Sequence, residues 1–197
     1  IAEPMRRWTE TLYRDFGAVH YWDLTSGHSV YRVFLLPGAL EVDISFTPEP
    51  GYGPRGAHWR LVFGSAGQPR PAPPEDAQHL AGLAWHHALH AYISVERRRW
   101  WQAEHWIAAL RTQVVALASR RFGLPTSYAK GAHVLPPDAI ETLEPTLVRS
   151  LDEAELRRAL RAAIDALSAE LDATDAPLAG RLRPMLVELA DETGTVR

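Results

Sequence analysis

From Leu40 to Phe46 the chain alternates. Leu40, Val42, Ile44 and Phe46 are apolar, whereas Glu41, Asp43 and Ser45 are not. A period of two sends successive side chains to opposite faces of a strand. The segment therefore predicts a strand with one face on a core and Glu41 and Asp43 together on the other. Apolar-rich runs at 18–24 (AVHYWDL), 29–36 (SVYRVFLL) and 59–64 (WRLVFG) predict further strands, with Pro37-Gly38 as the hairpin joining 29–36 to 40–46. Ahead of them Met5, Trp8, Leu12 and Phe16 recur every three or four residues. That spacing predicts a helix over 4–16, stopped at Gly17. The first half reads as a helix followed by a mostly antiparallel sheet.

The pattern changes after residue 64. SAGQPRPAPPEDAQ holds four prolines, which exclude both helix and ladder pairing, so 65–77 reads as a linker between a sheet domain (1–64) and a second domain (78–197). Helical periodicity governs the rest. Helices are expected over 78–95 and 97–122, the latter with Ala103, Ile107, Leu110, Val114 and Leu117 as its core stripe. A Gly- and Pro-bracketed loop spans 123–137. Asp138 and Glu141 have capping-box spacing for a third helix, and Ser150 and Glu153 repeat it. Leu156, Leu160, Ala163, Ile164, Leu167 and Leu171 continue a stripe, and a last helix covers about 178–191. The class is α+β: a sheet with a flanking helix, then an all-α antiparallel bundle.

Composition narrows the function classes. With 46% hydrophobic and 23% charged residues, the 197-residue chain has ordinary globular proportions. A net charge of −3 argues against nucleic acid as a partner. The chain has no cysteine, which removes disulfides, thiol nucleophiles and thiolate zinc sites together and suits a cytoplasmic setting. No apolar run is long enough for a bilayer span and the first residues are no signal peptide, so no membrane partner is expected. Oligomeric state is left open.

Several stretches carry candidate chemistry. Asp43 suits solvent, an ion pair or a metal: a two-residue Pro-Gly turn places Arg32 opposite it, and a three-residue turn shifts that pairing. GSAG (64–67) resembles a phosphate-holding turn, but no alternating carboxylates follow it, and Glu75 and Asp76 are adjacent, so a loop entry is the better reading. His86 and His90 are one helical turn apart, yet the glutamate of a metalloprotease motif is replaced by His87, which favours histidines packed beside Trp85. Glu96, Trp100 and Glu104 recur every four residues beside Arg97, Arg98 and Arg99. That is either a solvated amphipathic helix start or an aromatic, acidic wall for a cationic ligand.

Taken together, residues 31–64, 94–135 and 148–160 resemble, in order, nucleotidyltransferases of the aminoglycoside-modifying type. The resemblance implies a small mixed sheet followed by a helical bundle, with substrate held between them. It also implies transfer of a nucleoside monophosphate, AMP from ATP, to a hydroxyl of a small, cationic, aminoglycoside-like acceptor with Mg²⁺ as cofactor. EVDISF matches the strand of the family's third carboxylate, which makes Asp43 a metal ligand or part of proton removal. Glu104, with Trp101 and Glu96, is then the candidate grip on the acceptor, and Lys130 the candidate neutraliser of triphosphate charge. The family's Gly-Ser turn and Asp-x-Asp pair, which precede that strand, are not among the 197 residues. The expectation is therefore a family member lacking that N-terminal segment. A non-catalytic relative that binds a small molecule or protein is the alternative, and a helical RNase using Arg99 and His105 is a remote one.

Overall fold

The computed structural model describes residues 1–54, 59–68 and 76–194, without the side chains of 50 and 192–194. The chain divides into two compact units, Ile1–Pro73 and Pro74–Arg197. That division falls within the stretch read as a linker, of which 69–75 lie outside the described residues.

The first unit opens with helix α1 (Ala2–Phe16), which ends where Gly17 turns left-handed at φ 68°. Only Leu12 of its predicted stripe is buried; Trp8 and Phe16 are exposed. Three strands follow, β1 (His20–Ser26), β2 (Ser29–Leu36) and β3 (Leu40–Phe46), in the order β1-β2-β3. Both pairings are antiparallel, so among the described residues the sheet is not mixed. The expected strand at 59–64 is absent, and Leu61, Val62 and Phe63 are exposed. Leu61-Val62-Phe63 is a continuous apolar run, not an alternation, and no described strand pairs with it.

The alternation in β2 and β3 sets which face meets the core. Phe34 is fully buried and, with Leu12, Ala18 and Leu36, forms a small core on which Tyr21, Val42 and Ile44 pack. Burying a Phe side chain contributes about 2 kcal/mol, so this unit rests on few large contacts. Between β2 and β3 the chain turns through Pro37, Gly38 and Ala39, with Leu36 paired to Leu40. Gly38 (φ 76°) and Ala39 (φ 57°) are both left-handed, a geometry glycine adopts freely and alanine only at a cost. The turn is thus the three-residue kind, and Val33, not Arg32, lies opposite Asp43.

The second unit is a helical bundle. Its helices are α2 (Ala77–Glu96), α3 (Trp100–Arg121), the short α4 (Pro137–Leu143), α5 (Glu153–Thr174) and α6 (Ala176–Gly194). Ala84, Ala88 and Ala91 are fully buried on α2, and such small side chains let neighbouring backbones approach closely. Every residue of the stripes predicted for α3 and α5 is buried. Asp138 caps nothing: α4 begins at Pro137, behind Pro136, with no side-chain cap. The cap of α5 is Asp152, which accepts from the Glu155 N–H at 2.9 Å, while Glu155 accepts from the Arg149 N–H. The cap thus lies two residues later than Ser150 and Glu153 suggested, and Glu155 reaches past it to the Arg149 N–H. Ion pairs tie helices together: Arg157 joins Glu96 (2.8 Å) on α2 to Glu153 (2.9 Å) on its own helix, and Arg121 of α3 meets Glu170 of α5 at 2.8 Å. No helix among the described residues is long and apolar enough to cross a membrane.

Candidate functional site

The sheet carries two aspartates with different fates. Asp23 on β1 lies opposite Arg32 on β2, and the two make a bidentate pair at 2.7 and 2.6 Å. The Arg32 guanidinium also donates to Thr9 Oγ1 at 2.7 Å and sits 4.1 Å over the Tyr21 ring. The hydrogen bonds from Arg32 hold the Asp23 carboxyl below its ordinary value, and the same contact raises Arg32. This pair lies on the face that packs toward α1. Asp43 shares the opposite face with its cross-strand partner Val33, and with Trp22 beyond it on β1. Asp43 is exposed, and no side-chain hydrogen bond or ion pair reaches it among the described residues. The arginine that the sequence offered it belongs to Asp23.

The open face is unusual in composition. Trp22, Leu24 and Leu35 are 54%, 42% and 47% exposed, and Val33 is half-buried among them. Glu41, Asp43 and Ser45 line the same face along β3. It offers hydrogen-bond acceptors along β3 and, on β1 and β2, a largely apolar, aromatic surface that also carries His20 and Tyr31.

The remaining candidates lie in the second unit. Glu96 ends α2 and pairs with Arg157, so its carboxylate is already engaged. Glu96, Trp100 and Glu104 do not share one helix: Arg97, Arg98 and Arg99 form the α2–α3 connection, with Arg98 left-handed at φ 55°. Trp101 is 77% exposed and Glu104 half-buried, three residues apart on the first turns of α3. Lys130 follows the far end of α3, exposed, its Nζ 5.7 Å from the Tyr128 ring. Fifteen residues of α3 separate Glu104 from Ser119 beside that loop, roughly 22 Å along the axis. The structure does not bring Lys130 to Glu104. Arg99 precedes α3 and His105 lies within it, both exposed.

The histidines gather around Trp106, which the sequence reading did not single out, and not mainly around Trp85. The rings of His87, His90 and His105 lie 5.2, 4.9 and 5.1 Å from it, and His86 stands 4.3 Å from His90. His87 Nδ1 and Trp106 Nε1 are buried without a partner among the described residues. Burial pushes His87 below the ordinary histidine value, and His86, His90 and His105 push the same way. Nothing in the sequence marks Trp106 except that it falls on the α3 side facing HHALH.

A magnesium site needs one or two carboxylates plus phosphate oxygens or further donors in octahedral array. Glu41 and Asp43 stand two residues apart on one face, and no group of three or more His, Cys, Asp or Glu among the described residues is placed to hold a metal. The donors present do not make that site by themselves. No family model matches the chain, and no curated protein matches it.

Proposed function

We propose that this chain serves nucleotidyl transfer to a hydroxyl, with Asp43 as the carboxylate that receives the acceptor. The observation that carries the reading is the division of labour in the sheet. Asp23 is neutralised by Arg32 on the packed face, while Asp43 stands without a counter-ion among the described residues on the open one. A partnerless strand carboxylate accepts a hydrogen bond from an incoming hydroxyl and orients its oxygen. In the transfer, the acceptor oxygen bonds to the α-phosphorus of ATP as the bond to the bridging oxygen breaks. Pyrophosphate leaves and the hydroxyl proton passes to Asp43. No step is assigned to a metal, because the donors described do not hold one.

The test uses the product of the complete gene with ATP, Mg²⁺ and a panel of hydroxylated acceptors, aminoglycosides included, while pyrophosphate release is followed. Turnover that Asp43→Asn reduces at least a hundredfold supports the reading. A folded protein that turns over no acceptor sinks it. One observation favours a second reading, a binding module without catalysis: the lack of a three-donor group among the described residues. Saturable acceptor binding with no pyrophosphate release identifies that case.

A further inference from the structure

The open sheet face has a chemistry more specific than a solvated surface. Apolar side chains scattered singly over a surface are ordinary. Here Trp22, Leu24 and Leu35 stand on adjacent strands of one face, with Val33 between them. Beside this apolar field runs β3, whose Glu41 and Asp43 have no cation partner among the described residues. The sheet's arginine faces the other way and is already taken. Ionised carboxylates only accept hydrogen bonds, so what approaches them must donate, and a positive charge answers two unpaired negative ones.

The ladder gives this arrangement a length. Val33 is the cross-strand partner of Trp22 on one side and of Asp43 on the other. Neighbouring strands lie about 4.8 Å apart, so the indole and the carboxylate are about 10 Å apart with an apolar side chain between them. We infer that this face binds a small organic cation whose flat apolar body lies across Trp22 and Val33 and whose ammonium and hydroxyl end meets Asp43 and Glu41. That makes the acceptor amphiphilic, an aromatic-bodied amino alcohol in class, and not a uniformly hydrophilic polyamine. The binding stands on the face alone; calling the ligand an acceptor rests on the nucleotidyl-transfer reading. A uniformly hydrophilic acceptor would leave Trp22, Leu24 and Leu35 wet and gain nothing from them. A second copy of the chain would bring two unpaired acidic rims together.

Isothermal titration and ¹H–¹⁵N NMR of the full chain, without nucleotide, test the inference. The indole N–H of Trp22 is assigned through Trp22→Phe. The probes are propranolol (naphthyl body, hydroxyl, amine), its glycol analogue without the amine, and 2-deoxystreptamine (amine-rich, no apolar body). Propranolol should bind saturably and shift the Trp22 indole signal. The glycol should bind roughly tenfold more weakly, the loss of one charge-assisted hydrogen bond. Trp22→Ala and Asp43→Asn should each weaken propranolol roughly tenfold or more with an unchanged far-UV spectrum, and 2-deoxystreptamine should leave the indole signal in place. Propranolol binding indifferent to both variants overturns the inference, as does the absence of binding at millimolar probe. So does sedimentation showing a dimer that Trp22→Asp dissociates. If propranolol binds as expected but no acceptor releases pyrophosphate, the site stands and the transfer reading falls. If hydrophilic acceptors turn over at rates Trp22→Ala does not change, the transfer reading stands and the site falls.

Discussion

Asp23 and Asp43 belong to one small sheet, and truncating each to alanine should have very different consequences. Asp23→Ala removes both charge-assisted hydrogen bonds from Arg32, whose side chain is only 11% exposed, and leaves that guanidinium with the Thr9 hydroxyl and the Tyr21 ring. Breaking a buried pair costs roughly 3–5 kcal/mol, whereas an exposed pair contributes at most about 1. The Asp23 side chain is 36% exposed, so solvent screens part of the loss and the expected cost is about 2 kcal/mol. Asp43→Ala removes an exposed carboxylate with no hydrogen bond or ion pair among the described residues and should change stability by no more than about 0.5 kcal/mol. The chain has two compact units, so a single melting curve mixes two transitions. Amide hydrogen exchange of β2 reads the sheet unit by itself: β2 amides that exchange through unfolding of that unit should speed up roughly thirtyfold in Asp23→Ala and stay near wild type in Asp43→Ala. The pH dependence checks the cause. The folded-state pKa of Asp23 lies below its ordinary value of 3.8, so the pair's contribution is fully present above that value. It disappears as pH falls through the folded pKa, and the two proteins should converge there. Equal protection in wild type and Asp23→Ala at neutral pH would refute the assignment, as would an Asp43→Ala loss as large as that of Asp23→Ala.

Three further outcomes follow from the helical unit. His87 is held below the ordinary histidine value of 6.5, so its neutral form favours the fold. That contribution is complete above the unfolded pKa and declines as pH falls below about 6.5; His87→Gln should flatten this part of a stability–pH profile measured by urea unfolding. Glu96→Gln should lower stability by about 0.5–1 kcal/mol, because Arg157 keeps Glu153, and should leave the acceptor KM unchanged, since this carboxylate serves a helix pair. Gly131→Ala should cost about 2 kcal/mol or more, read from amide hydrogen exchange of α3, because a Cβ there lies 2.7 Å from the Pro125 carbonyl oxygen and 2.9 Å from Ser119 Oγ.

Much of the helical half was legible because α3 and α5 carry stripes wide enough to be read alone. Every residue named for α3 and α5 is buried, and the break between the halves falls among the prolines. The errors lie where one local signal had two realisations. Asp138 has capping spacing, but Pro136 and Pro137 already fix the entry to α4 and leave it no N–H to close. Ser150 and Asp152 both offer a cap; Asp152 takes it, and the Ser150 hydroxyl donates to the Asp152 carboxylate instead. Glu96 looked like a member of the α3 face only because a four-residue period runs on across the turn that ends α2.

The candidate site was legible in part, and the missing part turned on one residue of loop length. With two residues in the turn, Arg32 would face Asp43 and the strand carboxylate would be a structural ion pair. With three, the register moves by one and Arg32 lies opposite Ile44. The choice is not arbitrary. Tight two-residue turns favour the primed types, which Pro at the first position cannot adopt, and Gly38 and Ala39 accept the left-handed geometry of the longer turn. The hydrophobic pattern agrees, since a one-residue slip would carry Val42, Ile44 and Phe46 off the core and Glu41 and Asp43 onto it. Arg32 is then left on the packed face, where a buried guanidinium needs a carboxylate, and β1 supplies Asp23 directly opposite. The freedom of Asp43 is thus a consequence of how Arg32 is satisfied, which no inspection of LEVDISF alone would show.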